Sequence, residues 1–341
     1  KKERKTSFPL LFSCFCNLSL GGIFVSFFPS LMNALPGAIA QGLIWGIMAI
    51  GVFLTFKVLD FADMTVDGTM CTGGAIVIMM MTQAGMNVWV ALLVAFLAGL
   101  VAGCVTGLLH TKLGIPAILS GILTQLALYS INLRIMGGKA NVAINPSSYN
   151  LLVSLRNVKA VGLANPILVA GLFTVALIAA LYWFFGTELG CSIRATGCNP
   201  NMSRAQGINV NRNIIIGLMI SNGIVAVASG LYSQYLGFAD INAGRGAIVI
   251  GLAAVIIGDV IFSKIFRNFA LKLLSVSLGA VIYYIVIQIV LTLGLNSNDL
   301  KLLSAVIVAI FLGLPYLQKT IFKTKLKPVP VTNEEGDDNN A

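Results

Sequence analysis

Long apolar runs alternate with short polar stretches over most of the chain. Runs near 20 residues read as helices crossing a hydrocarbon layer of about 30 Å. They lie at about 35–56, 69–84, 88–110, 115–133, 165–185, 213–236, 246–262, 268–294 and 300–318. Another run at about 8–30 follows the basic start Lys1-Lys2-Glu3-Arg4-Lys5; it reads either as a further spanning helix or as an extension ahead of Met32. The pattern predicts an all-α polytopic membrane protein with nine to ten transmembrane helices. Residues 1–33 form a basic and apolar N-terminal segment, 34–318 the transmembrane domain and 319–341 a basic, then acidic, disordered tail.

Composition agrees with this reading. The chain is 57% hydrophobic and 10% charged, whereas a soluble domain carries roughly 25% charged residues. The net charge of +10 is not a nucleic-acid signal, because the basic residues lie between apolar runs and form no stripe with aromatics. They set orientation instead. With the loop at 186–212 on the cytoplasmic side, sixteen Lys and Arg fall inside and six outside. The C-terminus is then cytoplasmic, in a multi-pass membrane protein.

The tripeptide Phe-Ala-Asp occurs at Phe61-Ala62-Asp63 and at Phe238-Ala239-Asp240. Gly46–Asp63 and Gly223–Asp240 match without a gap at 8 of 18 positions. The two copies lie five predicted spans apart, an odd number, so they have opposite topology. This predicts two inverted units, about 35–133 and 213–318, related by a pseudo-two-fold axis in the membrane plane. One Phe-Ala-Asp break then lies on each side of the membrane.

Each break carries polar groups that are costly in lipid, at ~2.5–3.5 kcal/mol each. The first holds Asp63, Thr65 and Asp67; the second holds Asp240, Asn242 and Arg245. Asp67 and Asn242 suit the caps of the helices that follow them, and Asp63 and Asp240 suit paired caps or ion-pair partners. The same residues are candidates for lining a translocation path, because a helix break is tolerated in a membrane only where protein or water meets it. Gly42-xxx-Gly46 and Gly99-xxx-Gly103-xxx-Gly107 allow close helix approach.

Other chemistries find little support. His110 is the only His, which excludes a His-based metal site or triad, and the six Cys are scattered. Gly137-Gly138-Lys139 lacks the frame of a phosphate loop. An intramembrane enzyme would need a nucleophile and a base, and no His or carboxylate lies deep within a span to serve.

The loop at 186–212 is the most specific segment. Asn199 reads as an N-cap, Pro200 as the first helical residue and Gly207 as the stop. The result is an exposed helix of about two turns, too short to stand alone in water. The series Arg194-Ala195-x-Gly197-x-Asn199-Pro200-x-x-x-Arg204-x-x-Gly207-Ile208-Asn209-Val210 resembles the cytoplasmic coupling segment of bacterial ABC-importer permeases of the branched-chain amino acid and ribose type. The resemblance continues through Ser221, Ser229-Gly230 and Gly251–Gly258 and covers about residues 34–318. Gly258-Asp259 and the segment Asp60–Gly68 are closer to a subgroup linked with binding proteins for aromatic amino acids and similar small solutes.

The resemblance implies a permease subunit of an ATP-driven importer. Its partners would be a cytoplasmic ABC ATPase dimer, an extracytoplasmic solute-binding protein, a second permease copy and membrane lipid. ATP would be bound by the ATPase, so this chain would hold no cofactor and no metal. Arg194, Asn199, Pro200, Arg204 and Gly207 would couple it to the ATPase. The alternative is an ion-coupled secondary transporter, which also uses inverted repeats and broken helices. Such carriers place ionisable groups at mid-span, whereas the Asp residues here lie at helix ends.

Overall fold

The computed structural model describes residues 20–146, 149, 151–158, 165–262, 266, 268–293, 302, 304–306, 308–310 and 313. The basic start and the 319–341 tail lie outside the described residues. Helix α1 runs from Leu20 to Phe53, contains Pro29 and Pro36, and continues into a π-helical turn at Leu54–Val58. The described part of the predicted 8–30 run is therefore continuous with the next predicted helix. After a break come α2 (Thr65–Thr82), α3 (Val88–Thr111) and α4 (Ala117–Ile135). Strand β1 (Asn141–Ala143) precedes α5 (Pro166–Phe185), α6 (Glu188–Cys198) and α7 (Pro200–Ala205). Then follow α8 (Val210–Leu236), β2 (Phe238–Asp240), α9 (Ala247–Phe262) and α10 (Phe269–Thr292).

Side-chain oxygens start several of these helices. Asn87 accepts from Trp89 N at 3.4 Å, and Asn165 accepts from Ile167 N at 3.0 Å beside Pro166 at the first helical position. Asn209 accepts from Arg212 N at 3.1 Å at the start of α8. Among the described residues seven helices are long and apolar enough to cross a membrane: α1 to α5, α8 and α10. The shorter α9, 16 residues, is also apolar, and the predicted 300–318 run is only partly described. The chain is thus an all-α polytopic membrane protein.

Helices α1, α2 and α8 form the centre, and α5 lies outermost. The predicted glycine seams are among the close contacts of the bundle. A Cβ at Gly99 or Gly103 would run into the Asn222 or Leu218 carbonyl, so α3 lies against α8 backbone to backbone. Gly42 and Gly46 bring α1 equally close to Val281 and Ser277 of α10. The two seams correspond: the offset carrying Gly46 onto Gly223 also carries Leu100 onto Ser277. Gly46 abuts Ser277, and Gly223 abuts Leu100.

The small sheet was not predicted. β1 pairs antiparallel with β2, Val142 opposite Ala239, so the second Phe-Ala-Asp is a strand. Bonds from Ile144 N to Gly237 O (2.9 Å) and Ile241 N to Ala140 O (3.0 Å) extend the pairing at both ends.

Candidate functional site

Both breaks are built the same way. In the first, the π-helical turn ends in bonds from Leu59 N to Leu54 O (3.0 Å) and Phe61 N to Thr55 O (2.9 Å). Asp60 then adopts φ 54°, the only positive φ outside glycine among the described residues. Asp63 Oδ1 accepts from Thr65 N at 2.9 Å. In the second break Gly237, at φ 80°, ends α8, and Asp240 Oδ1 accepts from Asn242 N at 2.9 Å. The offset that pairs the two Phe-Ala-Asp copies also pairs Asp60 with Gly237 and Thr65 with Asn242. A left-handed residue that stops a helix and an Asx turn that redirects the chain are standard devices; here the pair occurs twice.

The two aspartates differ in surroundings. Asp63 is fully buried, and its Oδ2 accepts from Asn222 Nδ2 at 2.7 Å. Asn222 Oδ1 in turn accepts from Thr69 Oγ1 at 2.7 Å. Nearby, Thr65 Oγ1 lies 2.7 Å from Thr106 Oγ1, and Thr106 donates to Thr124 at 2.9 Å. Burial pushes the Asp63 carboxyl above its ordinary value, while the bonds from Thr65 and Asn222 pull it back. Asp240 is half-buried, and Asn242 and Arg245 are exposed.

The capping expected of Asp67 and Asn242 takes a different form. Asp67 sits in the first turn of α2 but caps α9: Oδ2 accepts from Gly246 N at 3.0 Å and Oδ1 from Ile248 N at 2.9 Å. The free N–H groups at a helix start attract a carboxylate wherever it comes from. Asn242 lies five residues ahead of α9 and gives only its backbone N–H to Asp240. Cys71 strengthens the junction, donating to Ile241 O at 3.0 Å and accepting from Gly244 N at 3.3 Å.

The segments after the two breaks therefore meet inside the bundle, although α1 and α8 end at opposite ends of it. Tyr235 Oη bonds Gly37 O at 3.1 Å, fixing the end of α8 level with Gly37 of α1. Gly251 packs on Met48 and Val52 of α1, and Asp259 pairs with Lys57 at 3.1 Å, so α9 runs alongside α1. The start of α9 is then level with Trp45–Gly46, about 13 Å deeper than Gly37 at 1.5 Å per residue. After α8 the chain turns back into the bundle before α9 begins.

A cavity of ≈ 350 Å³ opens at this junction. Asp67, Cys71 and Arg245 line it together with Gln125, Tyr129 and Asn132 of α4. The last three had not been singled out. Their 125, 129, 132 spacing puts them on one face of α4, a signal the sequence does carry.

The segment 186–212 forms two helices rather than one. In α6, Arg194 holds its guanidinium carbon 5.2 Å from the centre of the Phe269 ring. Asn213 of α8 donates to Ser192 Oγ at 2.6 Å and Thr196 Oγ1 at 2.9 Å, tying α6 to the bundle. Asn199 caps α7 as expected, accepting from Asn201 N at 3.1 Å and Met202 N at 3.0 Å, with Pro200 at the first position. Gly207 follows at φ 79°. Only Ser203 of α7 is buried, so Pro200, Met202 and Arg204 are exposed. A Cβ on Gly197 would run into the Val58 carbonyl, so α6 lies directly on the first break.

Comparison with known proteins gives the family. Residues 35–314 match the model of the branched-chain amino acid transport system permease component. The tyrosine transport system permease protein of Clostridioides difficile is 40% identical over 304 residues, covering 89% of this chain and 99% of that protein. The fructose import permease protein FruF of Bifidobacterium longum is 27% identical over 250 residues, 73% of this chain and 68% of that one. The autoinducer 2 import system permease protein LsrC of Yersinia pseudotuberculosis is 32% identical over 193 residues, about half of each chain. No solved structure matches. Proteins of this kind are transport subunits working with ATPase and solute-binding partners. The chain belongs to the branched-chain amino acid transport permease family and is a membrane-spanning permease subunit of an ABC importer for small solutes.

Proposed function

We propose that the imported solute is an aromatic amino acid, with tyrosine the first candidate. Support comes from the 40% identity, over nearly its whole length, to a protein named for tyrosine transport. Two copies of the chain form the path, and α7 docks on a cytoplasmic ATPase that holds the ATP. A binding protein delivers solute at the opposite face, where β1 and β2 lie. The excess of Lys and Arg around α6, α7 and the tail supports this orientation, with the C-terminus cytoplasmic. The matched α1–α10 and α3–α8 seams and the matched breaks support two inverted units.

One observation carries the mechanism: Gly197 seats α6 on Val58, at the edge of the first break. Movement of α7 by the ATPase passes through α6 directly to Val58 and Leu59. From there it passes through α2 to Asp67, which holds the start of α9. Both breaks then shift together, and the inverted units rock between outward- and inward-facing states.

The test is a Met202→Cys variant in the assembled importer, since Met202 is exposed on α7. Cross-linking to the ATPase that changes between ATP-bound and nucleotide-free states is expected, along with L-tyrosine uptake into proteoliposomes. A transport-competent complex with no cross-link from α7 would contradict the docking assignment. Uptake of other solutes but not tyrosine would contradict the substrate assignment.

A further inference from the structure

We infer that the cavity between α2, α4 and the segment before α9 binds an α-amino acid zwitterion during passage through the chain. This deepens the amino acid reading above and rests on it. The carrying observation is Asn132. Its side chain is fully buried and lines the cavity; Nδ2 donates to Gly68 O at 3.4 Å, and Oδ1 has no partner. An unpaired buried acceptor costs about 1–3 kcal/mol, a cost removed when a donor enters the cavity.

The other lining groups define that donor. Each Asp67 oxygen accepts one backbone N–H, which fixes the carboxylate and leaves further lone pairs free. Asp67 and Asn132 are two acceptors, suited to an ammonium group. Arg245 lines the same cavity and among the described residues makes no ion pair. Its guanidinium fork matches a carboxylate in two parallel bonds. Leu126, Tyr129 and Ile241 supply an apolar and aromatic wall for the ligand's side chain. The volume of ≈ 350 Å³ lies at the small end of ligand pockets, roughly 300–1,000 Å³. A cation, a carboxylate and an amide on one lipid-facing surface would be costly, which favours a face turned towards the water-filled path.

The experiment uses the full-length permease–ATPase complex in nanodiscs without binding protein and measures L-[³H]tyrosine binding. Saturable binding is expected, with L-phenylalanine competing well. Tyramine, which lacks the carboxylate, and 3-(4-hydroxyphenyl)propanoate, which lacks the ammonium, should compete at least about tenfold more weakly, a factor equivalent to about 1.4 kcal/mol. Arg245→Gln should weaken tyrosine binding and remove the discrimination against tyramine. Asn132→Leu should do the same for the propanoate. A variant damaged only in folding would lose all ligands alike, and if one fails to assemble, the analogue series on the wild-type complex decides.

Absence of saturable binding at millimolar tyrosine, or equal competition by all analogues, overturns the assignment. A phosphatidylethanolamine headgroup carries the same two charges, so discs of phosphatidylglycerol with and without that lipid are compared. Tyrosine binding lost only when phosphatidylethanolamine is present would make the headgroup the occupant and overturn the solute assignment. Should the complete importer take up leucine but not tyrosine, the aromatic substrate reading fails, and the zwitterion site is then tested with leucine and its two truncated analogues.

Discussion

Replacing Asp63 by Asn removes one oxygen acceptor from a site that needs two. Asp63 receives Thr65 N on Oδ1 at 2.9 Å and Asn222 Nδ2 on Oδ2 at 2.7 Å. An amide can accept only one of these, and its NH₂ must face the other donor. Losing a hydrogen bond to a charged group costs about 1.5–3 kcal/mol; the neutral amide recovers part of this because burial already disfavours the Asp63 charge. A net loss of about 2 kcal/mol corresponds to an apparent Tm lower by about 4–8 °C, at roughly 2–4 °C per kcal/mol. Asp240→Asn keeps its one acceptor role towards Asn242 and should lower Tm by less than about 2 °C on the same scale. The double change Asp63→Asn with Asn222→Asp restores complementarity: residue 63 donates, residue 222 accepts, and Thr69 still donates to residue 222. Recovery is partial, because the bond from Asn222 Nδ2 to Leu218 O at 3.1 Å is lost. The assay is thermal unfolding in nanodiscs at one fixed scan rate, since such unfolding is kinetically controlled. Equal effects of the two single changes, or no recovery in the double variant, would refute the reasoning.

Gly197→Val drives a side chain into the Val58 carbonyl and should separate α6 from the first break. The complex should still assemble but lose solute-stimulated ATP hydrolysis, read in a phosphate-release assay. Asn199→Ala removes the acceptor for two N–H groups of α7 and should cost about 1 kcal/mol of helix stability, seen as weaker association with the ATPase and restored by Asn199→Ser. Lys57 and Asp259 form an exposed ion pair, so Asp259→Asn should change stability by no more than about 1 kcal/mol, and the change should vanish at high salt.

The sequence made the repeated features legible because the same residues recur at a constant offset. Phe61-Ala62-Asp63 and Phe238-Ala239-Asp240 do mark two breaks of common design. Gly42, Gly46, Gly99 and Gly103 are close contacts between helices, and Asn199 and Pro200 do start α7. Their signals are local, set by left-handed residues, Asx turns and the size of glycine. What lay hidden is tertiary. Asp67 carries the local mark of an N-cap, yet its partners are Gly246 and Ile248, far along the chain. Asn222 follows Ser221 within an apolar run, and nothing local shows its role until Asp63 and Thr69 are folded against it. The β1–β2 pair escaped notice because three residues per strand leave no periodic pattern.

The central claim, import driven by a partner ATPase, is tested most directly by changing the energy source in one preparation. Proteoliposomes containing this chain, its ATPase and its binding protein should accumulate L-tyrosine only with ATP inside the compartment where α7 lies. Collapsing proton and sodium gradients should leave the rate unchanged. Uptake that persists without the ATPase and follows an imposed ion gradient would contradict the account and establish an ion-coupled carrier instead.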